Sequence, residues 1–140
     1  MDMLSKYGMA DCKPILMPLD VNAKLSAQVG DVVEDVTMYK KIVGSLIYLT
    51  ITRLDLSYTV GLKSPFMQLP RKPHLDAIQR TLCYVRSTPL DYTLVYAAAA
   101  PLALSGYTDA DWASSSADRR STNSFMFSFG SDAITWSSKK

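Results

Sequence analysis

Apolar residues at Met38, Ile42, Leu46 and Leu49 recur every three or four positions, so the stretch after Asp35 reads as a helix with Lys40 and Lys41 toward solvent. A second helix is expected from Asp55, whose carboxylate can cap free backbone amides, turning Leu56 and Val60 inward until Pro65 and Pro70 disturb it. A third starts after Pro73, a favoured first-turn residue, with Leu75, Ile78, Leu82 and Val85 as its buried stripe and Asp76, Arg80 and Arg86 outside. Past Thr88 the period changes. Tyr92, Leu94 and Tyr96 alternate, and Ala97 to Ala100 before Pro101 reads as a linker. Strands are then expected over Leu102–Trp112, Ser124–Phe129 and Ala133–Ser137, the second with Phe125, Phe127 and Phe129 on one face. Gly130-Ser131 is a tight-turn signal, which makes these strands an antiparallel meander whose Phe face needs a covering layer. Between Asp11 and Asp35, Pro14, Pro18 and Gly30 break up short apolar pieces, the pattern of an extended connector.

The sequence therefore predicts an α+β chain: residues 1–34 an extended tail, 35–100 a helical region and 101–140 a set of strands. At 140 residues, 48% hydrophobic and 20% charged, it matches one modest domain or parts of two. A formal charge of +2 is too small for a dedicated electrostatic nucleic-acid binder, so any such contact has to come from local patches. Cys12 and Cys83 make neither a disulfide framework nor a zinc spacing, and both are expected to be packing residues in a reducing compartment. No apolar run approaches a membrane span, and the N-terminal residues lack a secretory pattern, so an intracellular, non-membrane chain is expected.

Two features could carry chemistry. In YTDADWA, Asp109 and Asp111 lie two apart on a predicted strand and point to the same side, where two carboxylates can share a hard cation. An isolated pair of this kind more often ends a strand, and a two-metal phosphodiester site needs further carboxylates. The second feature is positive charge. Lys63, Arg71, Lys72, His74, Arg80 and Arg86 form the densest basic cluster, and Arg119 and Arg120, before Ser121 and Thr122, make a basic, hydroxyl-rich loop suited to phosphate oxygens. A solvated helix face and a solvated loop are the competing readings. His74 has no partner in a catalytic arrangement and reads as structural. Nucleotide-binding and serine-hydrolase motifs are absent.

KIVGSLIYLT, PHLDA, GYTDADWA, DRRST and ITWSSKK, in this order and spacing, together with DCKPILMPLD before them, resemble the Pol polyprotein of copia-type retrotransposons over essentially the whole chain. The resemblance implies the end of the reverse transcriptase, a helical connection segment and the opening strands of an RNase H-like β-meander. It makes Asp109 the first metal-binding carboxylate of an incomplete RNase H site and places Asp111 in the same motif. It further implies Mg²⁺ as the parent enzyme's ion, not tightly bound here, and an RNA–DNA hybrid or template-primer duplex and the remainder of the polyprotein as partners. Arg71, Lys72, Arg80, Arg119 and Arg120 are the candidate nucleic-acid contacts. The function expected on this basis is a truncated, inactive remnant; the alternatives are a nucleic-acid-binding module or part of an RNase H completed by downstream sequence. Leu54, Cys83, Ser87, Ser114 and Ser124 depart from the family's usual Pro, Arg, Gly, Gly and Gly. A single C-to-T or G-to-A transition produces each change, the expected scar of deaminated methylcytosine, and lost turn glycines are expected to cost ~1 kcal/mol wherever positive φ was needed.

Overall fold

The computed structural model describes residues 3–9, 11–20, 25–88, 102–112 and 119–139. Four helices and three strands follow in chain order: α1 Met3–Lys6, α2 Val36–Leu49, α3 Ser57–Lys63, α4 Lys72–Ser87, β1 Leu104–Asp111, β2 Thr122–Phe129 and β3 Asp132–Lys139. The architecture is α+β. The expected alternation at Tyr92–Tyr96, the Ala97–Ala100 linker and Ser114 lie outside the described residues.

Helix α2 begins where its cap places it. Asp35 Oδ1 accepts from the Met38 N–H at 2.8 Å, satisfying an amide that has no partner within the helix. Its buried stripe is Tyr39, Ile42, Val43 and Leu46, with Met38 and Leu49 packed at the margins. These side chains form the main core together with Leu56, Val60 and the α4 residues Leu75, Ile78 and Leu82. The apolar periodicity places the helices because this burial, ~25 cal/mol per Å², is what holds short helices together.

The second helix departs from expectation. It begins at Ser57, after a 3₁₀ turn over Leu54–Leu56, and the Asp55 side chain does not serve as its cap. That carboxylate instead receives Arg53 Nε and Nη2 at 2.9 and 2.7 Å and the Tyr84 hydroxyl at 2.8 Å. Arg53 Nη1 and Nη2 also donate to the Thr88 carbonyl and hydroxyl, at 2.7 and 2.9 Å. A buried guanidinium thereby ties the turn before α3 to the end of α4.

The three strands form an antiparallel sheet in the order β1-β2-β3. Gly130, at φ +67°, opens the two-residue β2–β3 turn in the left-handed region that glycine enters without strain. Directly paired residues share a face, which separates Asp109, Ser124 and Ser138 on one side from Thr108, Phe125 and Ser137 on the other. The face carrying Asp109 is the one that meets the helices: Trp136 Nε1 donates to the Thr50 carbonyl at 2.8 Å, and a Cβ on Gly61 of α3 would lie 2.8 Å from the Ser138 carbonyl. The Phe face is left open, with Phe125, Phe127 and Phe129 40%, 38% and 43% exposed.

Only a glycine lets α3 approach β3 this closely. Gly61→Val is expected to push the strand off the helix at a cost of ~1–3 kcal/mol, read from urea unfolding; an unchanged midpoint would show that the contact is dispensable. The glycine losses expected to strain the backbone do not do so at Ser87 and Ser124. One is helical and the other lies mid-strand, and the non-glycine residue with positive φ among those described is Arg119.

Candidate functional site

Strand β1 projects Asp109 and Asp111 from the same face, with Ser124 and Thr122 as their cross-strand partners. Both carboxylates are exposed. Ser124 Oγ donates to Ser138 Oγ at 3.0 Å, so the row running across the sheet from Asp109 is two hydroxyls rather than further acids. Asp109 lines an open groove of about 280 Å³ between the sheet and the start of α3, with Tyr107, Met126 and Trp136 on one wall and Leu54 and Tyr58 on the other. The groove is largely aromatic and apolar, with one carboxylate at its edge.

Among the described residues no group of three or more His, Cys, Asp or Glu side chains could hold a metal ion. Mg²⁺ demands near-octahedral oxygen coordination, and an exposed strand carrying two carboxylates does not present a preformed cage. What Asp109 can do here is accept hydrogen bonds from hydroxyl or amide groups entering the groove.

The basic residues fall on separate elements. Arg71 stands at the N-cap of α4 and spends its guanidinium internally, donating to the carbonyls of Ala27 at 2.7 Å and Gly30 at 2.7 Å. Lys72 is exposed and pairs with Asp76 at 3.1 Å, an arrangement worth little at a wet surface. Arg80 is half-buried, and among the described residues its Nε has no hydrogen-bond partner. Arg119 and Arg120 are exposed ahead of β2, far in sequence from the α4 group. Lys63 does not belong to a basic surface at all. It is 1% exposed, its ammonium reaches the Thr81 hydroxyl, and burial, followed by the nearby Arg80 charge, pushes its pKa down to about 7.

His74 is fully buried, stacks on Phe66 with ring centroids 3.9 Å apart, and accepts the Arg71 N–H at Nδ1 at 2.9 Å. Burial holds its pKa below the usual imidazole range, so it stays neutral as a helix-start residue. Sequence reasoning missed the Arg53–Asp55–Tyr84 cluster. The Arg-x-Asp spacing was available, but nothing in it shows that Tyr84 and Thr88 close around the pair.

This is a helical unit joined to a small antiparallel sheet bearing an Asp-x-Asp strand, and sequence comparison places it. The chain is 41% identical over its full length to the retrovirus-related Pol polyprotein from transposon RE1 of Arabidopsis thaliana, of which it spans 10%. It is 37% identical to that from transposon TNT 1-94 of Nicotiana tabacum, over 97% of this chain and 11% of the relative. It is also 36% identical, over 98% of its length, to the uncharacterised mitochondrial protein AtMg00810 of Arabidopsis thaliana, covering 56% of that protein. The chain belongs to the family of retrovirus-related Pol polyproteins of copia-type transposons, and corresponds to about a tenth of the length of the transposon relatives. No family model matches it, and no solved structure does.

Proposed function

We propose that this transposon-derived Pol segment joins the end of a reverse transcriptase to the first strands of an RNase H-like unit and has no hydrolytic activity by itself. The observation that supports this reading is the Asp109 face: one strand bears two exposed carboxylates, and among the described residues no group of three or more His, Cys, Asp or Glu side chains could hold a metal ion. In-line hydrolysis needs two ions ~3.5–4 Å apart, held from several elements. The proposed boundaries are an extended tail at 1–34, a helical connection at 35–100 and RNase H-like strands from 101.

The experiment is cleavage of a labelled RNA–DNA hybrid by the purified 140-residue chain in Mg²⁺ or Mn²⁺. No turnover above a blank purification is expected. Turnover that Asp109→Asn abolishes would overturn the reading, because it would show that the carboxylates present suffice.

In this reading the hybrid is held by the larger polyprotein, and the isolated segment binds it weakly. Of the five candidate contacts, Lys72, Arg119 and Arg120 are exposed, while Arg71 donates to backbone carbonyls and Arg80 is half-buried. Fluorescence anisotropy should show sequence-tolerant binding that weakens steeply as salt displaces the phosphate contacts. Tight binding that is insensitive to salt would contradict it.

A further inference from the structure

The last turn of α4 carries Cys83, Arg86 and Ser87, whose i, i+3 and i+4 spacing puts all three on one helix face. Arg86 and Ser87 both grip the same stretch near the N-terminus. Arg86 Nη1 donates to the Cys12 carbonyl at 2.9 Å, and Ser87 Oγ accepts the Ile15 N–H at 2.9 Å while donating to the Cys83 carbonyl at 2.8 Å. With the Cys12 carbonyl and the Ile15 N–H both fixed to the helix face that carries Cys83, the Cys12 thiol is brought beside the Cys83 thiol, whose pKa it affects. Cys12 is half-buried and reachable from solvent, whereas Cys83 is buried. Burial, with the adjoining Cys12 thiol, pushes the Cys83 pKa up to about 11, so Cys83 is a poor first nucleophile.

We propose that Cys12 and Cys83 form an intramolecular disulfide site, a redox latch that fastens the segment around residue 12 to the C-terminal turn of α4. The oxidant is a small-molecule disulfide such as glutathione disulfide. The Cys12 thiolate attacks one of its sulfurs, forming a mixed disulfide and expelling one thiolate, which takes up the proton Cys12 released. Cys83, its proton passing to solvent, then attacks the Cys12 sulfur and expels the second thiolate, which is protonated in turn. Two protein thiols lose two electrons in all, and one small disulfide becomes two thiols. In the reduced chain the segment is held by the Arg86 and Ser87 hydrogen bonds and local packing; in the oxidised chain a covalent link closes a loop of about 70 residues around the helical core.

The test equilibrates the whole chain in glutathione redox buffers, with and without denaturing urea, quenches it with iodoacetamide, and reads the species by intact mass. The expected result is a monomer lacking two hydrogens and carrying no alkyl groups. Its formation should be favoured about tenfold or more in the folded chain over the urea-unfolded one, with a higher urea midpoint after oxidation. Cys12→Ser and Cys83→Ser should each remove that species and leave one alkylated or glutathionylated thiol. Glutathione adducts or disulfide-linked dimers in place of the internal bond would overturn the proposal. So would an internal bond that forms no more readily in the folded chain than in urea, a comparison that uses the unaltered sequence and needs no variant to fold.

Discussion

Replacing Asp55 with alanine should cost ~3–5 kcal/mol of stability, because it leaves the Arg53 guanidinium buried without its bidentate partner. A domain of this size has only ~5–15 kcal/mol in total, so the variant should be substantially unfolded near body temperature. The loss comes from breaking a pair rather than from the pair's own worth. Arg53 has left water, and Asp55 is the carboxylate described against it, whereas the Thr88 carbonyl and hydroxyl that it also meets carry no net charge. Tyr84→Phe removes one hydrogen bond to the same carboxylate and should cost less, ~1.5–3 kcal/mol. The pH dependence carries a sign. Burial alone would raise the Asp55 pKa, but hydrogen bonds from Arg53 and Tyr84 and the Arg53 charge outweigh it and hold the carboxyl below its ordinary value. Its contribution is therefore present above the unfolded pKa, near ~4, and is lost as pH falls through the folded value. Urea denaturation followed by circular dichroism reads all three effects, and a loss below ~1 kcal/mol for Asp55→Ala would show that Arg53 relaxes to water.

Period and punctuation made the elements legible, while the partners of polar side chains were not. The start of α2 was readable from the apolar period that begins after Asp35, and the Asp35 carboxylate caps the first turn there. The strand pairing was readable from Gly130-Ser131, since a two-residue turn fixes which residues face each other. Asp55 looked equally like a cap. What redirected it was Tyr84, 29 residues later, and local spacing holds no record of so distant a partner. Lys63 was grouped with the basic surface by its charge, yet its place at the end of α3 turns it toward Thr81 and the core. For the candidate site, the shared side of Asp109 and Asp111 followed from strand geometry. That this side, rather than the Phe face, would lie against the helices depended on Gly61 admitting Ser138 and on Trp136 reaching Thr50, two contacts between distant parts of the chain.

Lys63→Met should stabilise the chain and remove a pH dependence that the native sequence shows. The Lys63 ammonium is 1% exposed, and among the described contacts it has the Thr81 hydroxyl and no carboxylate, so the folded state favours the neutral amine. Because its folded pKa is lowered to about 7 from an ordinary lysine value, the unfolded chain binds the extra proton over the interval between them. Stability should therefore rise with pH from about 7, by up to ~1.4 kcal/mol per pH unit. The rise should flatten above about 9, where Cys83, raised to about 11, and Tyr39, held protonated by burial, begin to favour the unfolded state as their unfolded counterparts ionise. Methionine matches the lysine stem in volume and leaves no amine to desolvate; the cost is the Thr81 contact, and Thr81 retains the Ala77 and Pro18 carbonyls as acceptors. The variant should gain ~1–3 kcal/mol at pH 7 and lose most of the slope between pH 7 and 9. Urea midpoints of both chains across that range decide it: equal slopes would mean that the amine finds water, and a destabilised Lys63→Met with no slope in the native chain would mean that the lysine is held by a partner stronger than Thr81.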